Sequence, residues 1–197
     1  MPEQQPDKGR RGMLVAASTV AGGVATIASG VPFVASMWPS ERAKAAGAPV
    51  EADISGLAPG ERMTVEWQGK PVWIVRRTPA MLDTVKKNTH KVADPESKKV
   101  MQPKYATNEL RSIKPEYLVL VGICTHLGCS PVEKFQAQAE AFASDWKGGF
   151  YCPCHGSLFD LAGRVYKDRP APDNLLVPKH KYLSDGKILI GEDEQGA

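Results

Sequence analysis

The chain of 197 residues is 42% hydrophobic and 24% charged, which suits one good-sized domain with something small attached. Its formal net charge of +3 is too mild to suggest nucleic acid as a partner. No repeat or low-complexity block of size interrupts it, so the distribution of residues carries the information.

Residues 1–12 are polar and basic, with Lys8, Arg10 and Arg11, and 13–40 then run for 28 positions without a charge. As a helix this run is long enough to cross a bilayer of about 30 Å. It is rich in Ala, Gly, Ser and Thr, and small residues such as Gly22, Gly23, Ala25 and Ala28 let a neighbouring helix pack closely. Arg10-Arg11 before a mildly apolar run resembles a twin-arginine export signal. The alternative is a cleaved secretory signal ending near the alanines at 43–48, but its apolar region would be about double the usual 7 to 15 residues. We therefore expect a cytoplasmic N-terminus over 1–12 and an uncleaved transmembrane helix over 13–39. A linker over 40–52 and an outer, periplasmic domain over 53–197 follow.

Within that domain 63–67 and 71–75 alternate around Gln68-Gly69-Lys70 and read as a β-hairpin. Thr78 caps a short helix with Pro79 at its first position and Met81, Leu82 and Val85 on one face. A polar loop around Asp94-Pro95-Glu96 follows, and His90 beside it reads as a surface residue. The apolar run 117–123 fits a buried strand. Residues 133–146 read as a helical turn or a long loop, and Phe150-Tyr151 as a short strand. The stretch 175–182 pairs with 187–190 across Asp185-Gly186, a strong hairpin signal, with His180 at the surface and a solvated tail over 191–197. The fold class expected is mostly antiparallel β plus one N-terminal transmembrane α-helix.

Everything is organised around 124–157, which holds all four cysteines and two of the four histidines. It opens with Cys124-Thr125-His126-Leu127-Gly128-Cys129 and closes with Cys152-Pro153-Cys154-His155-Gly156-Ser157, with 22 residues (130–151) between. Two disulfides would account for four cysteines in an exported protein but not for a histidine beside each pair. Structural zinc needs only four of the six groups, and the spacing is not its common Cys-x2-Cys pattern.

Both boxes resemble, completely, those of the Rieske iron-sulfur proteins. The resemblance implies a Rieske-type head with a small cluster-binding lobe over about 122–172 and one [2Fe-2S] cluster per chain. Cys124 and Cys152 would hold one iron, His126 and His155 the other, and Cys129 and Cys154 would form a disulfide between the two loops. Two neutral imidazoles in place of two thiolates raise the potential to about −150 to +300 mV, against about −400 mV for all-cysteine ferredoxins. Such a centre can oxidise a quinol, and His155 and Leu127, at the exposed tip, would meet it, with His155 accepting the proton. Gly128 and Gly156 would let backbone N–H groups approach sulfur, and Ser157 resembles the serine that bonds a bridging sulfide. Phe159 stands where mitochondrial-type members carry a tyrosine donor, which implies a potential somewhat below theirs. Pro170-Ala171-Pro172 resembles the family's cluster-covering proline loop.

Within the family the resemblance is to iron-sulfur subunits of bacterial cytochrome bc complexes, the ubiquinol-cytochrome c oxidoreductases. It implies a cytochrome b subunit, a c-type cytochrome, ubiquinol and the membrane as partners, in a dimeric complex of the bacterial inner membrane. In such complexes 40–50 is a hinge on which the head swings. A Rieske small subunit of an arsenite-oxidase-type periplasmic enzyme is the alternative, disfavoured by the long linker and the proline loop. Soluble Rieske ferredoxins lack the extra cysteine of each box. A zinc-stabilised anchored module would be colourless.

Overall fold

The computed structural model describes residues 7–194; residues 1–6 of the expected N-terminal segment and 195–197 of the expected tail lie outside the described residues. The chain divides into two units, one ending at Ala45 and the other beginning at Ala46.

The first unit is built on α1 (Lys8–Ser36), whose N-terminus is capped by the Asp7 carboxylate accepting from the N–H groups of Gly9 and Arg10 at 3.0 and 3.3 Å. At ~1.5 Å per residue such a helix exceeds the hydrocarbon thickness of a bilayer. Thr19 and Thr26 donate their hydroxyls to the carbonyls of Val15 and Gly22, so neither needs water. The helix is long and apolar enough to cross a membrane. A second helix, α2 (Glu41–Ala46), turns once and a half within the expected linker, with Ser40 accepting from the Ala43 N–H and a Glu41–Lys44 ion pair at 2.7 Å.

The second unit contains three antiparallel three-stranded sheets. One joins β1 (Val50–Asp53), β9 (Lys187–Ile190) and β8 (His180–Ser184) in the order β1-β9-β8. The second has β2 (Arg62–Trp67), β3 (Lys70–Arg76) and β4 (Tyr117–Val121) side by side. The third is β5 (Val132–Lys134), β6 (Gly149–Cys152) and β7 (Ser157–Phe159).

The second sheet is covered on both faces, which is why β4 reads as a continuous apolar run rather than an alternation. Val72 and Ile74 of β3, with Tyr117, Val119 and Val121 of β4, point into a core shared with Ile188 and Ile190 of β9. Trp73, Val75, Leu118 and Leu120 point the other way, into a core that includes Phe150, Phe159 and Leu161 of the third sheet and its flank. Trp73 stacks on Phe150 with centroids 5.1 Å apart. Each such buried side chain contributes about 1.5–3 kcal/mol, so the lobe that carries both boxes rests on the second sheet through apolar burial. The capped helix forms as α3 (Pro79–Asn88), with Thr78 accepting from the Met81 N–H and with Met81 and Val85 in the same core.

The hairpin over β2 and β3 turns on two residues, Gln68 and Gly69, both at positive φ. The Asp185-Gly186 hairpin also forms, but its first strand begins at His180 rather than at 175. His180 is a correction: it is buried, not on the surface. Its backbone N–H donates to the Tyr105 hydroxyl at 2.8 Å, its Nδ1 lies 2.9 Å from the Pro178 carbonyl, and burial holds the ring below its ordinary pKa. The tail is also less solvated than expected, since Asp193 is buried and Glu192 pairs with Lys181 at 2.7 Å.

Three arginines are buried in this unit. Arg77 donates to the carbonyls of Leu110, Pro115 and Leu161, and Arg111 to those of Met101, Ala162, Gly163 and Leu175. Burial pushes both guanidinium groups down to about 10, so they remain charged at neutral pH. Arg164 donates to the Val85 carbonyl at 2.6 Å and pairs with the buried Asp160 at 2.8 Å.

Candidate metal centre

Box one lies between β4 and β5, and box two is the turn of the β6–β7 hairpin, closed by the Cys152 and Ser157 pair. Each box folds into the same kind of turn. Gly128, at φ +86°, donates its N–H to the Cys124 carbonyl at 3.1 Å, and Gly156, at φ +77°, donates to that of Cys152 at 2.9 Å. Both glycines are required for their φ rather than for room, because a Cβ at either would meet nothing within 4 Å. Their N–H groups close the turns. The Cys124 N–H donates to the Cys129 carbonyl at 2.8 Å, completing the first loop.

The result is two loops that each begin on a buried cysteine and lift a histidine outward. Cys124 and Cys152 are free thiols, both buried. His126 is half-buried and His155 exposed, with ring centroids 4.8 Å apart and planes near perpendicular. Cys129 and Cys154 form a disulfide across the loops, with Cα atoms 6.7 Å apart, so neither is available to a metal. The sulfurs of Cys129, Cys152 and Cys154 lie within 4.8 Å of one another. Of these three only Cys152 is a possible ligand, which leaves two thiols and two imidazoles as the donor set.

That donor set fits a [2Fe-2S] cluster of mixed ligation, with sulfur at the buried end and nitrogen at the open end. Burial pushes the Cys124 thiol above its ordinary value, so it keeps its proton until a metal replaces it. The Ser157 hydroxyl, fully buried, accepts the Ala171 N–H at 3.0 Å. The segment Pro170-Ala171-Pro172 is thereby tied to box two. Thr125 ties the same segment to box one, its hydroxyl donating to the Asp173 carbonyl at 2.6 Å. Lys99 adds an ion pair to the Asp173 carboxylate. Pro170 and Pro172 are exposed on this strap. Phe159 is buried and packs in the core with Phe150. Leu127 is 72% exposed at the tip of box one.

Every residue singled out in the two boxes and the proline segment thus falls in one lobe. Thr125 and Asp173 were missed: Thr125 sits inside a box whose cysteines and histidine explain the spacing without it, and Asp173 has no sequence signal. Between the boxes none of the described residues is helical; that stretch is β5 followed by a loop, with Trp146 buried and donating its indole N–H to the Lys134 carbonyl at 2.8 Å.

The model of the Rieske [2Fe-2S] domain matches residues 49–181. The chain is 58% identical over its whole length to the ubiquinol-cytochrome c reductase iron-sulfur subunit of Allochromatium vinosum, covering 95% of it. It is 39% identical over 183 residues to the subunit of the same name from Bradyrhizobium diazoefficiens, covering 92% of this chain and 94% of that one. A solved chain of a hyperthermophilic respiratory Complex III is 27% identical, with 90% of this chain and 98% of that one covered and a TM-score of 0.45. With two buried thiols and two imidazoles gathered in a lobe that the family model spans, this chain belongs to the Rieske [2Fe-2S] domain family.

Proposed function

We propose that the chain is the membrane-anchored iron-sulfur subunit of a ubiquinol-cytochrome c oxidoreductase, with Cys124, Cys152, His126 and His155 holding one [2Fe-2S] cluster. The observation that carries this reading is the donor set itself, two buried free thiols beneath two imidazoles at the open end of one lobe. Full-length similarity to subunits of that name supports the choice within the family. When bound, the cluster supplies a one-electron couple in the range of about −150 to +300 mV.

The chain's own residues do the rest. His155, exposed, presents a ring nitrogen to the quinol hydroxyl and holds the proton that accompanies the electron. Leu127 offers an apolar contact beside it for the ring of the quinol. The strap pinned by Ser157 and Thr125 shields the lobe from water on its flank, and the disulfide keeps the two loops at one separation. We place α1 in the bacterial inner membrane with Lys8, Arg10 and Arg11 on the cytoplasmic side and the head outside, following the bias of basic residues to the inner face. A periplasmic head permits the disulfide. Quinol is then met in a cytochrome b subunit of a dimeric complex, and the electron passes to a c-type cytochrome, while the second electron goes to a b haem.

Ascorbate-reduced membranes carrying this chain are expected to give a rhombic electron paramagnetic resonance signal of low average g value, and to reduce cytochrome c at the expense of quinol. The purified head should contain iron and sulfide in equal amounts. Zinc in place of iron, with no signal, overturns the reading. A second result follows from Phe159. Phe159 is buried in the core that also holds Cys124 and Cys152. Phe159→Tyr, by adding the hydroxyl donor that the resemblance places at this position, is expected to raise the midpoint by about 60 mV, the one-electron equivalent of a ~1.4 kcal/mol hydrogen bond. Protein-film voltammetry measures this directly, and an unchanged midpoint removes Phe159 from the determinants of potential.

A further inference from the structure

Resting on the ligand assignment above, we propose that the metal-free chain undergoes an internal thiol-disulfide exchange in which Cys152 displaces Cys154 from the disulfide, and that a filled site is what prevents it. Three sulfurs lie within 4.8 Å of one another, and one of them, on Cys152, is a free thiol beside the Cys129–Cys154 bond. A thiol at such a distance from a disulfide is an intramolecular nucleophile at high effective concentration. Metal ligation occupies the Cys152 sulfur and removes it from this reaction.

The step balances without an outside oxidant. The Cys152 sulfur, having given its proton to solvent, forms a bond to the Cys129 sulfur. The Cys129–Cys154 bond breaks and its electron pair leaves on the Cys154 sulfur, which takes a proton from solvent. One disulfide and two thiols are present before and after. Cys152 is buried whereas Cys154 is exposed, so the exchange moves one free thiol from the interior of the lobe to its surface, where water solvates it. The product no longer has the sulfur at position 152 that the metal needs. It cannot be reloaded until the new bond is reduced. Filling the site before or together with disulfide closure is therefore the productive order of assembly, and cluster loss after closure leads to a trapped form.

The test uses the full chain in detergent, loaded as isolated, and read by disulfide mapping rather than by activity. Iron is removed anaerobically with a chelator, released sulfide is removed by desalting, and the sample is incubated, alkylated in denaturant, digested and analysed by mass spectrometry. The loaded control is expected to retain Cys129–Cys154 with Cys124 and Cys152 alkylated. The metal-free sample is expected to show Cys129–Cys152 in the majority of molecules, with Cys124 and Cys154 alkylated, and to take up a cluster again only after reduction. Metal-free Cys152→Ser is expected to keep Cys129–Cys154. Retention of Cys129–Cys154 in the metal-free wild type, any other new pairing there, or exchange in Cys152→Ser overturns the proposal. Iron, sulfide and zinc counted on the loaded control test the ligand reading separately, since a wrong metal there leaves the disulfide map still to be read.

Discussion

His155→Ala is expected to yield a folded chain with no [2Fe-2S] cluster, and Cys124→Ser, Cys152→Ser and His126→Ala the same, whereas Cys129→Ser and Cys154→Ser retain a cluster of lower potential and shorter life. The difference follows from which groups are free. Cys124 and Cys152 are unpaired and buried at the base of the two loops, and the imidazoles of His126 and His155 meet above them. Removing any one leaves an iron with an open position in a lobe with no spare thiol, since the other two sulfurs are bonded to each other. Loss of the disulfide instead leaves the ligand set intact and frees the two loops to move apart. The loops remain closed by the Gly128 and Gly156 hydrogen bonds and pinned to the strap by Thr125 and Ser157. Iron and sulfide analysis with redox titration on all six variants separates the two groups. Equal, complete loss of iron in ligand and disulfide variants alike would sink the assignment.

The second large effect lies away from the metal. Asp160→Ala is expected to cost about 3–5 kcal/mol of stability, the usual consequence of removing one partner of a buried ion pair. The Asp160 carboxylate accepts from Arg164 Nε at 2.8 Å and from the N–H groups of Ala162 and Arg164 at 2.9 Å each. Both side chains of the pair are fully buried. Arg77 and Arg111 are buried too, held by carbonyls rather than by a carboxylate, so Asp160 is the anion that offsets this interior positive charge. Asp160→Asn keeps hydrogen-bonding capacity and loses the charge, and is expected to fall between wild type and Asp160→Ala. Urea unfolding of the metal-loaded head measures the series. A loss below about 1 kcal/mol for Asp160→Ala would show that the arginines need no counter-charge.

Much of the metal lobe was legible because its information is local. Each box packs its cysteines and histidine into six consecutive residues, and the turns that display them depend on Gly128 and Gly156 within the same six. The hairpins were legible for the same reason, Gln68-Gly69 and Asp185-Gly186 being turn chemistry at neighbouring positions. What could not be read depends on partners far along the chain. His180 stands between Lys179 and Lys181 and looks like a surface residue, yet Tyr105, 75 positions earlier, covers it. Asp160 and Arg164 have the spacing of an ordinary exposed pair, yet both are buried, with the Arg164 guanidinium donating to the carbonyls of Val85 and Pro95, 79 and 69 positions earlier. The strap's anchors are of this kind as well, since Thr125 reaches across 48 positions to the Asp173 carbonyl.

Strand β1 pairs along its whole length with β9, from Val50 against Ile190 to Asp53 against Lys187. The head therefore begins and ends on adjacent strands, and where the chain is cut decides whether the released piece survives as a monomer. Proteolysis between 46 and 49 frees a head that keeps β1 to β9. A cut a few residues later, past Asp53, strips β1 and turns β9 from an interior strand into an unpaired edge whose Ile188 and Ile190 belong to the core. Such an edge is a template for strand addition between molecules. A soluble fragment started that little too late is predisposed to aggregate rather than merely shortened.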